Sequence, residues 1–175
     1  MQVSRPDPRP TALRHAHGRL ARQQLVHLGA TIGEDDNVYY SEATLGVWLA
    51  ATLEVNFYDR DDHSRLRARF SGQGGGGATG GSETWGSAWA TRPIDSLLGQ
   101  RCRFYAVLLP FTLTISWATE QGEAVLAYVG GGLSIGSGIL GGSGNFLLAG
   151  PEAPGLTAGA KSAPSACRPY RAGVP

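Results

Sequence analysis

The central part of the chain alternates between apolar and polar residues with a period of two, which is typical of β-strands that have one buried face. The first such run begins near Thr44 and continues to Phe57, with Thr52, Glu54 and Asn56 on its polar face. This pattern predicts inward-facing side chains at Leu45, Val47, Leu49, Ala51, Leu53, Val55 and Phe57.

A second run repeats this alternation further along the chain. Its predicted inward positions are Phe111, Leu113, Ile115 and Trp117, and its outward positions are Thr112, Thr114 and Ser116. Between the two runs, Leu66, Ala68 and Phe70 are predicted to point inward, and Arg65, Arg67 and Arg69 outward. The short polar segments 59–64 and 120–123 are suited to close hairpins.

The two runs belong to an internal repeat with an offset of 60 residues, which widens by one after the glycine run. The copies begin at Thr52 and at Thr112. The matched positions are Thr52 with Thr112, Leu53 with Leu113, Val55 with Ile115, Phe57 with Trp117, Leu66 with Leu126, Gly72 with Gly132, Gly80 and Gly81 with Gly141 and Gly142, and Trp85 with Phe146. A sheet that has one wet face and is repeated in this way forms either an antiparallel sandwich or a closed barrel.

Glycine is concentrated within the repeat, and the segment from Gly72 to Gly86 contains eight of the chain's 26 glycines. Eight glycines inside ordered strands cost about 4–8 kcal/mol relative to alanine. We therefore expect them where the backbone needs sharp bends, bulges or positive φ, as strongly coiled strands of a small barrel do. Between the copies, Thr91–Gln100 is predicted to form one short helix, since Pro93 suits its first turn and Gly99 its end.

The two ends of the chain have different compositions from this repeat. Residues 1–43 are predicted to be a partly disordered or helical extension that includes a basic segment at 11–29, which Gly18 is expected to interrupt. Residues 44–150 are predicted to be the β-domain, and residues 151–175 a disordered tail rich in proline, alanine and glycine.

Length and charge limit the possible classes of protein. A chain of 175 residues corresponds to about one domain, and its net charge of +1 gives no general attraction to nucleic acid. No apolar run reaches the roughly 18 residues that a membrane-spanning helix needs. The N-terminus lacks the apolar core of a secretory signal. We expect Cys102 and Cys167 to be free thiols.

Motifs that resemble ligand sites lack the surroundings that their chemistry requires. Glycine runs from Gly72 and from Gly136 match G-x-G-x-x-G, but no helix follows to face a pyrophosphate. A stretch from Gly155 resembles a P-loop but has Ala160 in place of a required glycine. No nucleotide or other cofactor is predicted.

Catalytic and metal-binding arrangements are likewise not predicted. No Gly-x-Ser-x-Gly motif occurs, and His63 lies in a predicted turn beside Asp61 and Asp62, which we interpret as solvated. His15 and His17 do not share a helix face. The arginines at 65, 67 and 69 are interpreted as a wet strand face. The four tryptophans are expected in the core or at its rim, where exposed ones suit a membrane interface: Trp48, Trp85, Trp89 and Trp117.

The order of strands, turns and glycines resembles the virulence-associated protein (Vap) family. The resemblance lies in NFYDRDDHSRLRARFSGQGGGG, ETWGSAWATRPIDSLLGQ and PFTLTISWATEQGEAVLAYVGGGLSIGSGILGGSGNF, within residues 44–150. It implies an all-β fold: a compact eight-stranded antiparallel closed barrel of two four-strand Greek-key repeats, with one short helix between them and a filled interior.

The resemblance also implies an exported protein without enzymatic activity. We expect it to act through membrane lipid or a host protein, as a monomeric barrel and without nucleic acid, catalytic residues, cofactor or metal. It transfers no functional residue, because the shared positions are structural. The alternative is a small-ligand-binding barrel, lipocalin-like, or a barrel isomerase, either of which needs a cavity and inward polar groups. The listed inward positions are apolar, which disfavours that alternative.

Overall fold

The computed structural model describes residues 11–30 and 37–149, which contain one α-helix, one 3₁₀ turn and seven β-strands. The helical elements are α1 (Thr11–His27) and η1 (Ile94–Leu97). The strands are β1 (Val38–Val47), β2 (Ala51–Tyr58), β3 (Leu66–Gly76), β4 (Thr79–Ala90), β5 (Arg101–Leu109), β6 (Thr112–Thr119) and β7 (Ala124–Leu148). The tail predicted at 151–175, with Cys167, lies outside the described residues.

All strand pairs are antiparallel, and the sheet order is β3-β2-β1-β4-β7-β5-β6, with further pairings of β7 to β3 and to β6. Strand β7 is 25 residues long and pairs with four strands. Its first half pairs with β4 and β6, and its second half pairs with β3 and β5. The prediction of an all-β antiparallel fold is confirmed, with seven strands instead of eight because β7 runs unbroken where two strands were expected.

The interior of the sheet is filled by aromatic rings from both copies of the repeat. Phe57 and Trp117, which are matched positions in the two copies, lie with ring centroids 5.9 Å apart in edge-to-face geometry. Phe70 contacts Phe104, Trp117 and Phe146 at centroid distances between 5.0 and 5.9 Å. Such contacts add to the stability that burial of each ring provides.

Most predicted inward positions are buried, but two are wrong. Leu45, Leu53 and Ile115 are almost fully buried, as expected. Leu49 and Phe111 are instead exposed, because each lies in a tight turn between two strands that the alternation alone did not separate.

The match of Trp85 with Phe146 also fails, because the two side chains lie on opposite faces of the sheet. Phe146 is fully buried in the interior, whereas Trp85 is only half-buried. The interior beside β4 is occupied by Tyr128, whose ring a Cβ at Gly86 would meet at 2.4 Å. The Tyr128 hydroxyl is 2.9 Å from the Thr84 hydroxyl, so this inward pair is polar.

The glycines explain how the sheet bends. Gly80 and Gly136 are paired on β4 and β7, and both have positive φ, +102° and +118°. A Cβ on either would lie 1.9 Å from a carbonyl oxygen of the opposite strand. Only glycine accommodates this approach, and the expectation of positive φ is confirmed at these two positions.

The segment predicted as a helix at Thr91–Gln100 forms only the 3₁₀ turn η1. Pro93 precedes the turn, and Gly99, with φ +75°, follows it as expected of a stop. Ile94 and Leu97 are fully buried in the main core. The 3₁₀ form suits a connection this short, since such turns rarely exceed three or four residues.

The N-terminal extension forms helix α1, which packs on the outer face of β4 and β7. Contrary to expectation, Gly18 does not interrupt the helix. The helix buries His17, Ala21 and Leu25, which are spaced four residues apart on one face. Ala21 and Leu25 pack against a small second cluster that includes Ala127. Gly18 faces the sheet, where a Cβ would lie at an ordinary contact distance of 3.9 Å from the Cβ of Ser87.

We predict that Leu53→Ala or Ile115→Ala lowers the free energy of unfolding by about 2–5 kcal/mol, because each leaves a cavity in a filled core. Leu147→Ala, at a half-exposed outer position, is the matched control and should cost less than about 1 kcal/mol. Urea denaturation followed by tryptophan fluorescence measures all three. A loss below about 0.5 kcal/mol at both core positions contradicts the assigned strand faces.

Candidate functional site

Both tight hairpin turns lie at the same end of the sheet. The β1–β2 turn follows Val47, which pairs with Gly80 on β4, and Gly80 in turn pairs with Gly136 on β7. The β5–β6 turn follows Leu109, next to Leu108, which pairs with Gly138. The register therefore places the two turns beside the bend of β7.

The β1–β2 turn exposes two large apolar side chains. Trp48 is 94% exposed and Leu49 is 107% exposed, and neither packs against the core. The backbone amide of Trp48 donates to the carbonyl of Ala50 at 3.3 Å, which closes the turn without help from either side chain. Nothing in the packing of the described chain requires tryptophan and leucine here.

The β5–β6 turn carries an exposed aromatic residue on a strained backbone. Phe111 is 70% exposed and has φ +65°, the only positive φ of a non-glycine residue in the described part of the chain. A bulky side chain in this conformation costs roughly 1–2 kcal/mol, and glycine or asparagine ordinarily takes the position. Strain of this kind is often retained at functional sites.

These residues form a surface that we call the apolar end. Its members are Trp48, Leu49, Leu109, Phe111, Ile135 and Ile139, all of them about half exposed or more. Leu133 lies at its border, where Glu83 pairs with it on β4. A cluster of this kind on a monomer's surface is a typical site of contact with a membrane or another protein.

The segments that build the apolar end contain no charged residue. No Asp, Glu, Lys, Arg or His occurs in residues 43–53, 70–82, 104–119 or 124–149. The outer face of this end is therefore apolar or weakly polar over both turns and the bend of β7. This distribution, rather than any single residue, distinguishes the end from the rest of the sheet.

Several charged residues lie at the opposite end of the sheet, where they contact each other and residues of the loops. Arg67 forms a salt bridge with Asp95 of η1. Hydrogen bonds from the Ser64 hydroxyl and backbone amide lower the pKa of Asp62. Arg69 donates from Nε to the Asn56 side-chain oxygen at 2.9 Å. Two arginines of the predicted wet face, Arg67 and Arg69, therefore bind different polar partners.

Of the residues considered for catalysis or metal binding, His15, Asp61 and His63 line one cleft, whereas His17 is buried under α1. His15 and His17 lie on α1, while His63 lies in the β2–β3 loop with its Nε2 3.0 Å from the Arg60 carbonyl oxygen. Residues 11–30 and 37–149 contain no group of three or more His, Cys, Asp or Glu side chains suited to hold a metal. Cys102 is a free, buried thiol whose pKa is raised by burial, so it remains protonated and a poor nucleophile.

The tryptophans divide between core and surface. Trp117 is in the core, Trp85 and Trp89 are on the outer face of β4, and Trp48 is at the apolar end. The expectation of core or rim positions holds for Trp117 and Trp48. The other residues of the apolar end were not predicted from the sequence, although the uncharged segments around both turns indicate such a surface.

The fold has known counterparts. The structure of the virulence-associated protein VapD from Rhodococcus equi superimposes with a TM-score of 0.55 at 22% identity, covering 64% of this chain and 98% of VapD. The fold is that of the Vap proteins. VapB from the same intracellular pathogen gives a TM-score of 0.53 at 18% identity, covering 64% of this chain and 97% of VapB.

Comparisons of sequence alone give no such result. No protein-family model matches the chain, and no curated protein matches it. The similarity to the Vap proteins expected from the order of strands and glycines is therefore confirmed at the level of the fold. Of the helices described, none is long and apolar enough to span a bilayer.

We predict that Phe111→Gly leaves the free energy of unfolding unchanged or raises it by up to about 1 kcal/mol. Relief of the positive φ offsets the greater flexibility of glycine in the unfolded chain. Phe104→Gly, which empties a core position on β5, is the control and should destabilise by at least about 3 kcal/mol. Thermal and urea unfolding give both values, and a loss above about 1 kcal/mol for Phe111→Gly contradicts the view that this side chain contributes nothing to the fold.

Proposed function

We propose that this chain is a non-enzymatic, exported, virulence-associated protein that binds lipid membranes through its apolar end. The observation that carries the proposal is the exposure of Trp48, Leu49 and Phe111 on two turns whose own strand segments contain no charged residue. Export and virulence association are proposed from the Vap-like fold. The protein itself is proposed to act as a monomer, without nucleic acid or cofactor.

A rigid scaffold supports this use of the turns. We propose that the sheet closes into an eight-stranded barrel of two Greek-key halves, with β7 counted as two strands. The pairings support this, since β1 lies between β2 and β4, and β5 lies between β6 and the second half of β7. Closure removes free strand edges, and it holds both turns at one end without further contacts.

The side chains at the turns match the chemistry of a membrane interface. Tryptophan is enriched where a bilayer meets water, because its ring is apolar and its N–H is polar. Transfer of each of the three side chains out of water contributes roughly 1.5–3 kcal/mol. Together, the three side chains contribute enough free energy for reversible binding. Because they are already exposed, their insertion into a membrane breaks no packing contact of the folded chain.

The driving force of the proposed binding is apolar rather than electrostatic. The nearest charge on β4 is Glu83, which repels anionic headgroups instead of attracting them. Binding through the apolar end should therefore depend little on salt or on anionic lipid. Binding through the basic helix α1 should depend strongly on both.

The filled interior favours this proposal over a ligand-binding barrel or an isomerase. Aromatic rings from β2, β3, β5, β6 and β7 occupy the inside of the sheet. The two inward hydroxyl groups, of Thr84 and Tyr128, are hydrogen-bonded to each other at 2.9 Å. A host protein remains the alternative occupant of the apolar end, and the experiment below separates it from lipid.

The test is vesicle co-sedimentation of the full chain with phosphatidylcholine, with and without phosphatidylserine, at low and high salt. Wild type should bind both vesicles at both salt concentrations. Trp48→Ser or Leu49→Ser should weaken binding about tenfold or more, and the pair together more strongly. Arg19→Gln/Arg22→Gln on α1 is the matched control and should bind as wild type does.

Two results contradict the proposal. Salt-sensitive binding that the α1 variant loses and the Trp48 variant keeps assigns membrane contact to the helix. Absence of binding to any vesicle excludes lipid and directs the search to a protein partner of the same surface.

A further inference from the structure

A groove of about 850 Å³ lies between α1 and strand β6, on the outer side of the sheet. The second half of α1 forms one wall, and Thr112 and Thr114 of β6 line the other, together with Val129 of β7. This volume is within the range of pockets that hold small organic ligands. The groove lies outside the aromatic interior and shares no residue with the apolar end, so it does not depend on the membrane contact proposed above.

The helical wall of the groove carries exposed apolar side chains that do not pack on the sheet. Leu20 is 50% exposed and Val26 is 56% exposed, whereas Ala21 and Leu25 of the same helix are fully buried. Val129 is almost fully buried and adds apolar surface to the groove. Apolar side chains that line one groove, rather than being scattered over a surface, are typical of a site for an apolar ligand.

The ionisable residues that line the groove are both basic. They are Arg22 and His27, and no Asp or Glu is among the described residues of the lining. The Arg22 guanidinium lies 5.1 Å from the centre of the Trp89 ring, a contact that engages its charge and not its N–H donors. Guanidinium N–H groups bind a carboxylate or a phosphate through charge-assisted hydrogen bonds. An anionic head is therefore the polar group that this lining favours.

Gln24 supplies a third kind of group to the groove. Its side-chain oxygen Oε1 is buried and has no hydrogen-bond donor among the residues that the structure describes. Buried polar atoms of folded proteins are almost always paired. A ligand that carries a hydroxyl group near its anionic head supplies the donor that this oxygen needs.

From these three features we infer that the groove binds a free single-chain lipid with an anionic head and a hydroxyl group beside it, such as a hydroxylated fatty acid. The head lies at Arg22, and the hydroxyl donates to Gln24. The acyl chain packs against Leu20, Val26 and Val129. The lipid enters from water rather than from a bilayer, because the groove lies along the side of the sheet and not at the apolar end.

The experiment is isothermal titration of the full chain with α-hydroxydodecanoate, below the concentration at which it forms micelles. Dodecanoate, which lacks the hydroxyl, and α-hydroxybutyrate, which lacks the long chain, test the separate features. The hydroxylated long-chain acid should bind saturably at one site. Its affinity should exceed that of α-hydroxybutyrate by about tenfold or more, and that of dodecanoate by roughly threefold or more.

Leu20→Ser and Arg22→Gln should each weaken the binding of α-hydroxydodecanoate about tenfold, because one removes apolar contact and the other removes the partner of the anion. Gln24→Met should abolish the preference over dodecanoate. Leu28→Ser is the matched control for Leu20, since Leu28 is 51% exposed just after the same helix and does not line the groove. This control should bind as wild type does.

Two further variants separate the groove from the apolar end. Trp48→Ser should keep full affinity for α-hydroxydodecanoate, and Leu20→Ser should keep full binding to phosphatidylcholine vesicles. Circular dichroism of each variant confirms that it is folded. The inference is overturned if wild type does not bind α-hydroxydodecanoate, or if Leu28→Ser weakens binding as much as Leu20→Ser. Equal affinity for dodecanoate overturns the role assigned to Gln24.

Discussion

The curvature of the sheet depends on the close approach of strands at glycine. Gly80 and Gly136 face each other with positive φ, and a Cβ on either would collide with the opposite backbone. Because these positions have no side chain, β7 bends while it keeps its hydrogen bonds to the neighbouring strands. It pairs with four other strands. The bend brings β3 and β5 alongside its second half, so that rings from both copies of the repeat meet inside.

The same bend separates the molecule into two chemically different ends. Both tight turns and the bend of β7 lie together, and the segments that form them carry no charge. The β2–β3 loop and η1 lie at the other end, where Arg67 forms a salt bridge with Asp95. The scaffold therefore keeps its apolar turns exposed at one end and polar contacts at the other.

The sequence allowed the strand faces and the repeat to be predicted, because burial of alternate side chains is a local property of each strand. Leu53, Val55 and Ile115 are buried as the alternation indicates. The turns at Leu49 and Phe111 could not be predicted in this way, since apolar residues in a turn continue the pattern of the strands around them. Trp85 was misplaced because its face depends on Tyr128, a residue distant in sequence that fills the space inside β4.

The candidate sites illustrate the same limit. The segment that forms helix α1 was expected to be partly disordered or helical, and its packing could not be predicted, because His17, Ala21 and Leu25 lie against residues that only the folded sheet brings together. Arg19 and Arg60 are 41 positions apart in the sequence and line one cleft, which no local sequence pattern predicts. The uncharged segments of the apolar end were visible in the sequence, but the register was needed to place them together.

The central claim, that the apolar end enters the membrane, is tested most directly by the fluorescence of Trp48 on vesicles that contain brominated lipid. The difference between wild type and Trp48→Phe isolates this residue from the buried Trp117 and the two tryptophans of β4. The account predicts that the Trp48 emission shifts to shorter wavelength and is quenched by bromine when the protein binds. Emission that stays at its aqueous position without quenching, on protein that has bound to the vesicles, would contradict it.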